Sequence, residues 1–198
     1  MAKTVSNHLD GATFAAALLS GINRVIGDQD VLNQINVYPV ADGDTGTNLS
    51  LSLGAVLEIL RQPADKSLGS LLASIADALL DSGRGNSGAI IAQFFQGVSD
   101  SAGDLTRFTT YTFSKAIRRG SDYAHDALSD PQEGTILSVI AAYADALAHQ
   151  TSKNGDPDFV TLMTNVQPVL EDSLARTTEQ LEVLRKAGVV DGHGASHI

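Results

Sequence analysis

Apolar residues recur at the spacing of an α-helix in one segment after another, and this periodicity limits the folds open to the chain. The clearest stripe runs from Leu71 to Leu80 on one helical face. Alternation typical of a strand is restricted to a hint at Ile35–Val40. The sequence therefore predicts an all-α protein of about seven or eight helices. Besides the stripe, the predicted helices are Leu9–Ile26, Leu49–Leu60, Ala89–Val98, Phe108–Leu128, Ile136–Leu147, Phe159–Leu170 and Leu174–Lys186, the last of which continues or follows the helix at Phe159.

Composition limits the number of domains, the kinds of metal site and the partners that this helical chain can have. The 198 residues suffice for a hydrophobic core, and no repeat or linker divides them, so we expect a single domain over residues 1–198. Cysteine is absent, which excludes disulfides and thiolate metal sites. The net charge of −10 argues against a nucleic-acid partner. With a polar N-terminus and no long apolar stretch, we predict no signal peptide and no membrane span, and we expect a cytoplasmic protein.

Two aspartates separated by one glycine, Asp42 and Asp44, precede a predicted helix. A turn followed by a helix N-cap uses the same residue types, so a purely structural role is one interpretation. An EF-hand calcium site fits poorly, because its glycine and glutamate positions hold Thr47 and Leu53. Magnesium fits better, since it takes few protein carboxylates and leaves room for phosphate oxygens. Asn48 would add a neutral oxygen nearby.

A second polar segment reads Gly-Arg-Gly-Asn-Ser-Gly over residues 83–88. Its spacing matches the dinucleotide fingerprint, but a predicted helix precedes it where that motif requires a strand. The segment would open the helix at Ala89, and helix N-termini bind phosphate through their free amides. Ser87 would add a hydroxyl and Arg84 a positive charge. The alternative is a helix C-cap, a turn and an N-cap without a ligand.

Two further segments give weaker evidence for a ligand site when each is considered alone. Thr135 is a candidate N-cap before the helix at Ile136. Asp191 and His193 lie near the C-terminus, but the spacing of His193 and His197 is isolated, which disfavours a metal site there. Glycines cluster at three predicted helix ends, which suggests backbone approaching a ligand; these clusters are Asp42–Thr47, Gly83–Gly88 and Gly188–Gly194.

Together these segments resemble one family. NVYPVADGDTGTN, GRGNSGAIIAQFFQG, PQEGTILSV and GVVDGHG are similar, in this order, to the motifs of bacterial fatty acid kinase and related two-part kinases. The resemblance runs from about Ser6 to Gly194 and extends to the nucleotide-binding L domain, of the DAK2 type, of dihydroxyacetone kinases. It implies an antiparallel barrel of about eight α-helices, with ATP or ADP bound at one end.

The resemblance also implies roles for single residues. Asp42 and Asp44 would hold a pair of Mg²⁺ ions beneath the nucleotide phosphates and act in catalysis. The dihydroxyacetone branch has a further aspartate where this chain has Val37, so the preceding Asn36 is a candidate third metal ligand. The residues implied to line the nucleotide site are Thr45, Gly46, Thr47, Asn48, Arg84, Gly85, Asn86, Ser87, Gly88, Thr135, Asp191 and Gly192.

The favoured function is that of an ATP-dependent phosphotransferase domain. It would transfer the γ-phosphoryl group to a fatty acid presented by a lipid-binding partner protein or domain, giving an acyl phosphate. The short length and the Gly-Ala-Ser ending favour a second hypothesis, a stand-alone subunit that phosphorylates a triose with a dihydroxyacetone-binding partner. A third hypothesis is a regulatory module that holds ADP without catalysis. The resemblance is also compatible with a homodimer.

Overall fold

The computed structural model describes residues 7–61, 67–153 and 157–195, and regular structure in these ranges is almost entirely helical. The all-α prediction is confirmed. Two short strands pair antiparallel, with Leu9 opposite Phe108. The elements in chain order are β1 (Leu9–Asp10), α1 (Gly11–Gly27), α2 (Gln29–Gln34), α3 (Thr45–Leu60), α4 (Leu68–Ser82), α5 (Gly85–Ala102), β2 (Arg107–Phe108), α6 (Thr110–Asp126), α7 (Ile136–Lys153), α8 (Phe159–Gln180), α9 (Glu182–Ala187) and α10 (Gly192–Ala195).

Side-chain caps set the first residue of several long helices. Asp10 accepts a hydrogen bond from the Thr13 N–H at 2.8 Å, so α1 begins after Asp10 and not at Leu9 as the periodicity predicts. Thr109 and Thr112 form a reciprocal capping box that starts α6 in the same way. Capping side chains also begin α4 and α8. By contrast, α3 and α5 begin without a side-chain cap from their N-cap residues.

The hint of a strand at Ile35–Val40 was wrong. The helix α2 ends just before this segment, which continues as turn and irregular backbone. Asn36 is only 6% exposed, and its side-chain amide donates a hydrogen bond to the Asp42 carboxylate at 2.9 Å. The segment is therefore held by a side-chain hydrogen bond where a strand would need a backbone ladder.

Two predicted helices, Phe159–Leu170 and the start of Leu174–Lys186, form one continuous helix, α8. Pro168 lies inside α8 without ending it. The proline is exposed, so its ring and its missing N–H lie at the solvent-facing side of the helix. The predicted stripe on α4 is confirmed except at its last residue, because Leu80 is 47% exposed.

The long helices pack mainly on their neighbours in the chain. The pairs in contact include α3 with α4, α4 with α5, α5 with α6, α6 with α7 and α7 with α8, while α1 lies on α3. The start of α4 meets the end of α5 at Gly69 and Gly103, and the end of α4 meets the start of α5 at Gly83 and Gly88. The helices α4 and α5 are therefore antiparallel, and the start of α5 also contacts α3, where the Arg84 N–H donates to the Ser52 hydroxyl.

The interior contains an apolar cavity of about 610 Å³ lined by residues of α1, α3, α5, α6, α7 and α8. Ile22, Phe94, Phe113, Ile140 and Val166 are among the side chains around it. The residues predicted to bind a nucleotide are not part of this lining. No helix within the described ranges has the length and apolar character needed to cross a membrane.

Candidate functional site

The acidic loop before α3 exposes both of its aspartates. Asp42 accepts a hydrogen bond from the side chain of Asn36, and Asp44 occupies the N-cap position of α3. The Asp44 carbonyl accepts from the Asn48 N–H at 2.8 Å, but its carboxylate makes no capping hydrogen bond. Helix capping therefore does not account for an aspartate at position 44, and its carboxylate remains available to a ligand.

The first turn of α3 is capped from α2 by a residue that the sequence did not single out. The Asn33 side chain accepts a hydrogen bond from the Thr47 N–H and donates one to the Thr47 hydroxyl, both at 3.1 Å. The backbone of α2 also runs against Gly46, where a Cβ would lie 2.2 Å from the Gln29 carbonyl oxygen. Gly46 and Thr47 thus join α3 to α2. Thr45 is buried in the same turn.

The second predicted segment is the first turn of α5, which begins at Gly85 and not at Ala89. Arg84 occupies the N-cap position without a side-chain cap, and its carbonyl already accepts from the Gly88 N–H at 2.9 Å. The first three amides of the helix are the groups that a helix cannot pair internally. Arg84 and Asn86 are exposed, whereas Ser87 is 2% exposed. An exposed cation beside an uncapped helix N-terminus suits an anion.

The two polar segments meet through close contacts between α3 and the start of α5. Gly85 has a φ of +60°, and a Cβ there would lie 3.0 Å from the Asn48 side-chain nitrogen. The Ser52 hydroxyl donates to the Asn48 carbonyl at 2.8 Å and accepts from the Arg84 N–H at 3.0 Å. Sequence reasoning missed Ser52, although its signal was a serine on the apolar face of a predicted helix.

A cavity of about 210 Å³ adjoins the start of α5, and two of the predicted residues, Asn86 and Thr135, line it. Its apolar walls are Ile90, Leu128 and Ile136, and its polar lining includes Asp130. Such a mixture suits a flat ring whose edge forms hydrogen bonds. The Thr135 hydroxyl donates to the Gln132 carbonyl at 2.8 Å and accepts from the N–H of the second residue of α7, so Thr135 also acts as a helix cap.

Tyr38 lies at the same cavity and was not predicted as a site residue. Burial raises the pKa of its phenol, and the charges of Asp130 and Asp191 raise it further. The hydroxyl therefore stays protonated at neutral pH and can donate a hydrogen bond to a ligand in the cavity.

Asp191 and Gly192 lie behind the acidic loop and not at its surface. The buried Asp191 carboxylate accepts a hydrogen bond from the Gly194 N–H at 2.8 Å, and the Asp191 N–H donates to the Thr177 hydroxyl at 3.0 Å. A Cβ on Gly192 would lie 3.4 Å from the Leu32 carbonyl oxygen of α2. These contacts hold α10 against the element that carries Asn33.

No group of three or more His, Cys, Asp or Glu residues within the described ranges could hold a metal ion. A cation at the acidic loop would therefore depend on the pair Asp42 and Asp44, completed by neutral protein oxygens, phosphate oxygens or water. That ligand set is typical of Mg²⁺. His197, considered above as a metal ligand, lies outside the described residues.

Comparison with known families decides the identity. The DAK2 domain family matches residues 39–198. This chain belongs to the DAK2 domain family. Protein YloV of Bacillus subtilis (strain 168) is 37% identical to this chain over 186 residues, covering 94% of the chain and 33% of YloV. An uncharacterized protein of Staphylococcus aureus (strain USA300) is 32% identical over 186 residues, covering 94% of the chain and 34% of that protein. The chain spans about a third of the length of these relatives.

A solved structure has the same fold. The crystal structure of the dihydroxyacetone kinase from C. freundii in complex with AMP-PNP and Mg²⁺ matches 99% of this protein's chain and 34% of the kinase chain. The TM-score is 0.68 at 15% sequence identity, so the likeness concerns the fold. The resemblance inferred from the four motifs is confirmed for family and fold.

Proposed function

We propose that this DAK2 domain binds Mg-ATP between the starts of α3 and α5 and transfers the γ-phosphoryl group to an acceptor presented by a partner protein or domain. One observation carries the proposal. The exposed Asp44 carboxylate has no capping role at the start of α3, and one turn further Asn48 meets Gly85 in the first turn of α5, which has no side-chain cap. The complex of the C. freundii kinase with AMP-PNP and Mg²⁺ supports both the nucleotide and the metal.

The residues at the acidic loop fit a hard cation. Asp42 and Asp44 would hold Mg²⁺, and Asn36 would orient Asp42 through its hydrogen bond, as a neighbour of the metal site. When bound, the metal would offset the negative charge of the phosphates. With a net charge of −10, the domain needs such local compensation to hold a triphosphate.

The start of α5 and the adjoining cavity supply the remaining contacts. The amides of Gly85, Asn86 and Ser87 would face the phosphates, with Arg84 as an added cation. The cavity at Tyr38 would receive the base. During transfer an acceptor oxygen bonds to the γ-phosphorus while the bond to the bridging oxygen breaks, and ADP leaves. The domain's part is positioning and charge stabilisation, and no covalent protein intermediate is required.

A fatty acid is the proposed acceptor, and an acyl phosphate the product. The motif sequence from Asn36 to Asn48 supports this choice through its resemblance to fatty acid kinase. The fold shared with the C. freundii dihydroxyacetone kinase supports a triose as the second candidate acceptor. In either case the acceptor site would be completed by a lipid-binding or dihydroxyacetone-binding partner.

Nucleotide binding is tested by calorimetry with ADP, in Mg²⁺ and in chelator, for the parent domain, Asp42→Asn and Asp44→Asn. We expect binding only with Mg²⁺, and a loss of about tenfold or more in each variant, or about 1.4 kcal/mol per tenfold. Asp122→Asn, which removes the same charge from an exposed position on α6, is the control and should bind like the parent. Equal affinity with and without chelator would contradict the metal site.

The acceptor is tested by incubating the domain with ATP, Mg²⁺ and either a fatty-acid-loaded lipid-binding protein or a dihydroxyacetone-binding subunit. Trapping by hydroxylamine detects an acyl phosphate, and mass spectrometry detects a triose phosphate. Formation of acyl phosphate is the expected result. Tight ADP binding without product from either partner would replace the kinase proposal with that of a regulatory nucleotide-holding module.

A further inference from the structure

We propose that Ser52 is a positioning residue that sets the acidic loop and the phosphate-facing turn of α5 in register. The inference rests on the nucleotide site proposed above and assigns to it a residue that contacts neither metal nor nucleotide. Ser52 is 0% exposed and belongs to the buried face of α3, where the neighbouring buried positions Leu49, Leu53 and Val56 are apolar. A hydroxyl in this row requires an explanation.

The Ser52 hydroxyl connects two helices through both of its hydrogen-bonding functions. It donates to the Asn48 carbonyl at 2.8 Å within α3 and accepts from the Arg84 N–H at 3.0 Å. Arg84 is the N-cap residue of α5, so this acceptor holds the residue from which the helix starts. The Ser82 hydroxyl, which donates to the Ala78 carbonyl of its own helix at 2.6 Å, also lies 3.0 Å from the Ser52 carbonyl oxygen, so the end of α4 contacts the same point.

These bonds form a short path from one half of the site to the other. The Asn48 N–H donates to the Asp44 carbonyl, the Asn48 carbonyl accepts from Ser52, and Ser52 accepts from Arg84. The first amides of α5 follow Arg84 directly. The carboxylate side and the amide side of the site are thus related by hydrogen bonds through one buried hydroxyl.

The packing around Ser52 leaves little freedom for another arrangement. A Cβ on Gly88 would lie 2.8 Å from the Ser52 hydroxyl oxygen, and one on Gly85 would lie 3.0 Å from the Asn48 side-chain nitrogen. Glycine at both positions allows α5 to approach α3 closely enough for the hydrogen bond between Arg84 and Ser52. The glycines of the phosphate-facing turn are therefore explained by the contact between α3 and α5 as well as by a ligand.

Ser50 provides a matched control on the same helix. Its hydroxyl oxygen is buried and has no hydrogen-bond partner within the described part of the chain. Ser50→Ala and Ser52→Ala each remove a hydroxyl oxygen from α3, at positions two residues apart. Only Ser52→Ala breaks a hydrogen bond between helices. Comparing the two variants separates the effect of losing the hydrogen bond between Ser52 and Arg84 from the effect of removing a buried hydroxyl.

The experiment measures Mg-ADP affinity by calorimetry at a temperature where every variant is folded. We expect Ser52→Ala to bind about tenfold more weakly, or about 1.4 kcal/mol, and Ser50→Ala to bind like the parent. Ser52→Thr keeps the hydroxyl while adding a methyl group to a filled space. It should therefore retain most of the affinity at a lower melting temperature, a split that a merely structural role would not produce.

A second measurement needs no ligand. Amide hydrogen exchange at Arg84, followed by NMR, should be slow in the parent and Ser50→Ala and faster in Ser52→Ala. Parent-like affinity together with parent-like Arg84 exchange in Ser52→Ala would overturn the inference. If the parent fails to bind Mg-ADP, the proposed function fails, while Arg84 exchange still decides whether Ser52 holds the start of α5.

Discussion

Glycine at a helix start can allow close packing against another part of the protein or close approach of a ligand to the backbone. The clustering of glycine predicted backbone approaching a ligand, yet Gly46 and Gly88 are buried against the protein's own backbone. Gly46 faces the Gln29 carbonyl, and Gly88 faces Gly83. Gly85 differs, since it is exposed and adopts a positive φ at the start of α5. The missing side chain at Gly46 and Gly88 is therefore explained by helix packing before any ligand is considered.

At this scale Gly46→Ala should lower the free energy of unfolding. Its Cβ would lie 2.2 Å from the Gln29 carbonyl oxygen, so α2 must shift, and overpacking of this kind costs about 1–3 kcal/mol. Gly54→Ala on the same helix is the control, because nothing lies within 4 Å of its Cβ. That change should stabilise α3 by about 0.5–1 kcal/mol. Urea unfolding of both variants checks the opposite signs.

Among the elements, the helices differ in how their first turns are satisfied. Local side chains cap α1, α4, α6 and α8, whereas α3 and α5 have no cap from their N-cap residues. The start of α3 is instead bonded by Asn33 of α2, and the start of α5 is held through Ser52 of α3. The elements that form the candidate site thus depend on other elements for their ends.

The cap of α1 makes a pH-dependent contribution to stability. Hydrogen bonds from the Thr13 backbone and hydroxyl lower the pKa of Asp10 below its usual 3.8. A lowered pKa contributes stability that is present above the unfolded pKa and is lost as the pH falls through the folded pKa. Asp10→Asn keeps a capping oxygen but does not titrate. Its deficit in unfolding free energy relative to the parent should therefore shrink as the pH falls below about 4.

Urea unfolding of the parent and Asp10→Asn from neutral to acidic pH measures this difference. Thr13→Val removes one of the two donors and leaves the backbone N–H, so its pH dependence should be intermediate. A deficit of Asp10→Asn that stays constant with pH would show that the cap does not titrate with folding.

At the scale of the whole molecule, the last described segment packs beside the candidate site. The short helix α10 lies against α2, α3 and α7. Thr177 of α8 is 0% exposed and accepts the Asp191 N–H at 3.0 Å, and the Thr178 hydroxyl donates to the Val189 carbonyl at 2.9 Å. Because α2 in turn caps α3, the C-terminal segment supports the acidic loop from behind.

Thr177→Val should therefore weaken the whole fold and not only the segment. The change removes a buried acceptor from the Asp191 N–H, which costs about 1–3 kcal/mol. Thr164→Val is the control on α8, since its hydroxyl makes a bond to its own helix at an exposed position. Chemical unfolding should show a clear loss for Thr177→Val and little change for Thr164→Val.

Much of the fold follows from patterns within single segments. The stripe from Leu71 to Leu79 predicts the buried face of α4, and Asp10 and Thr109 carry the signals for two helix starts. Such features depend on residues three or four positions apart, so the sequence contains them directly. The short α2 was missed because six residues do not display a period. The ordered motifs likewise indicated the family that the comparisons confirmed.

The candidate site could be predicted only in part. Asp42, Asp44 and the segment 83–88 stand out by residue type, but their relation depends on Asn33 and Ser52, which bond to residues 14 and 32 positions away. No local pattern states which backbone carbonyl will approach Gly46 or which amide will reach Ser52. The sequence by itself determined the helices, their buried faces and the polar residues between them. Tertiary structure alone decided which helix ends meet, because those contacts arise from packing between distant segments.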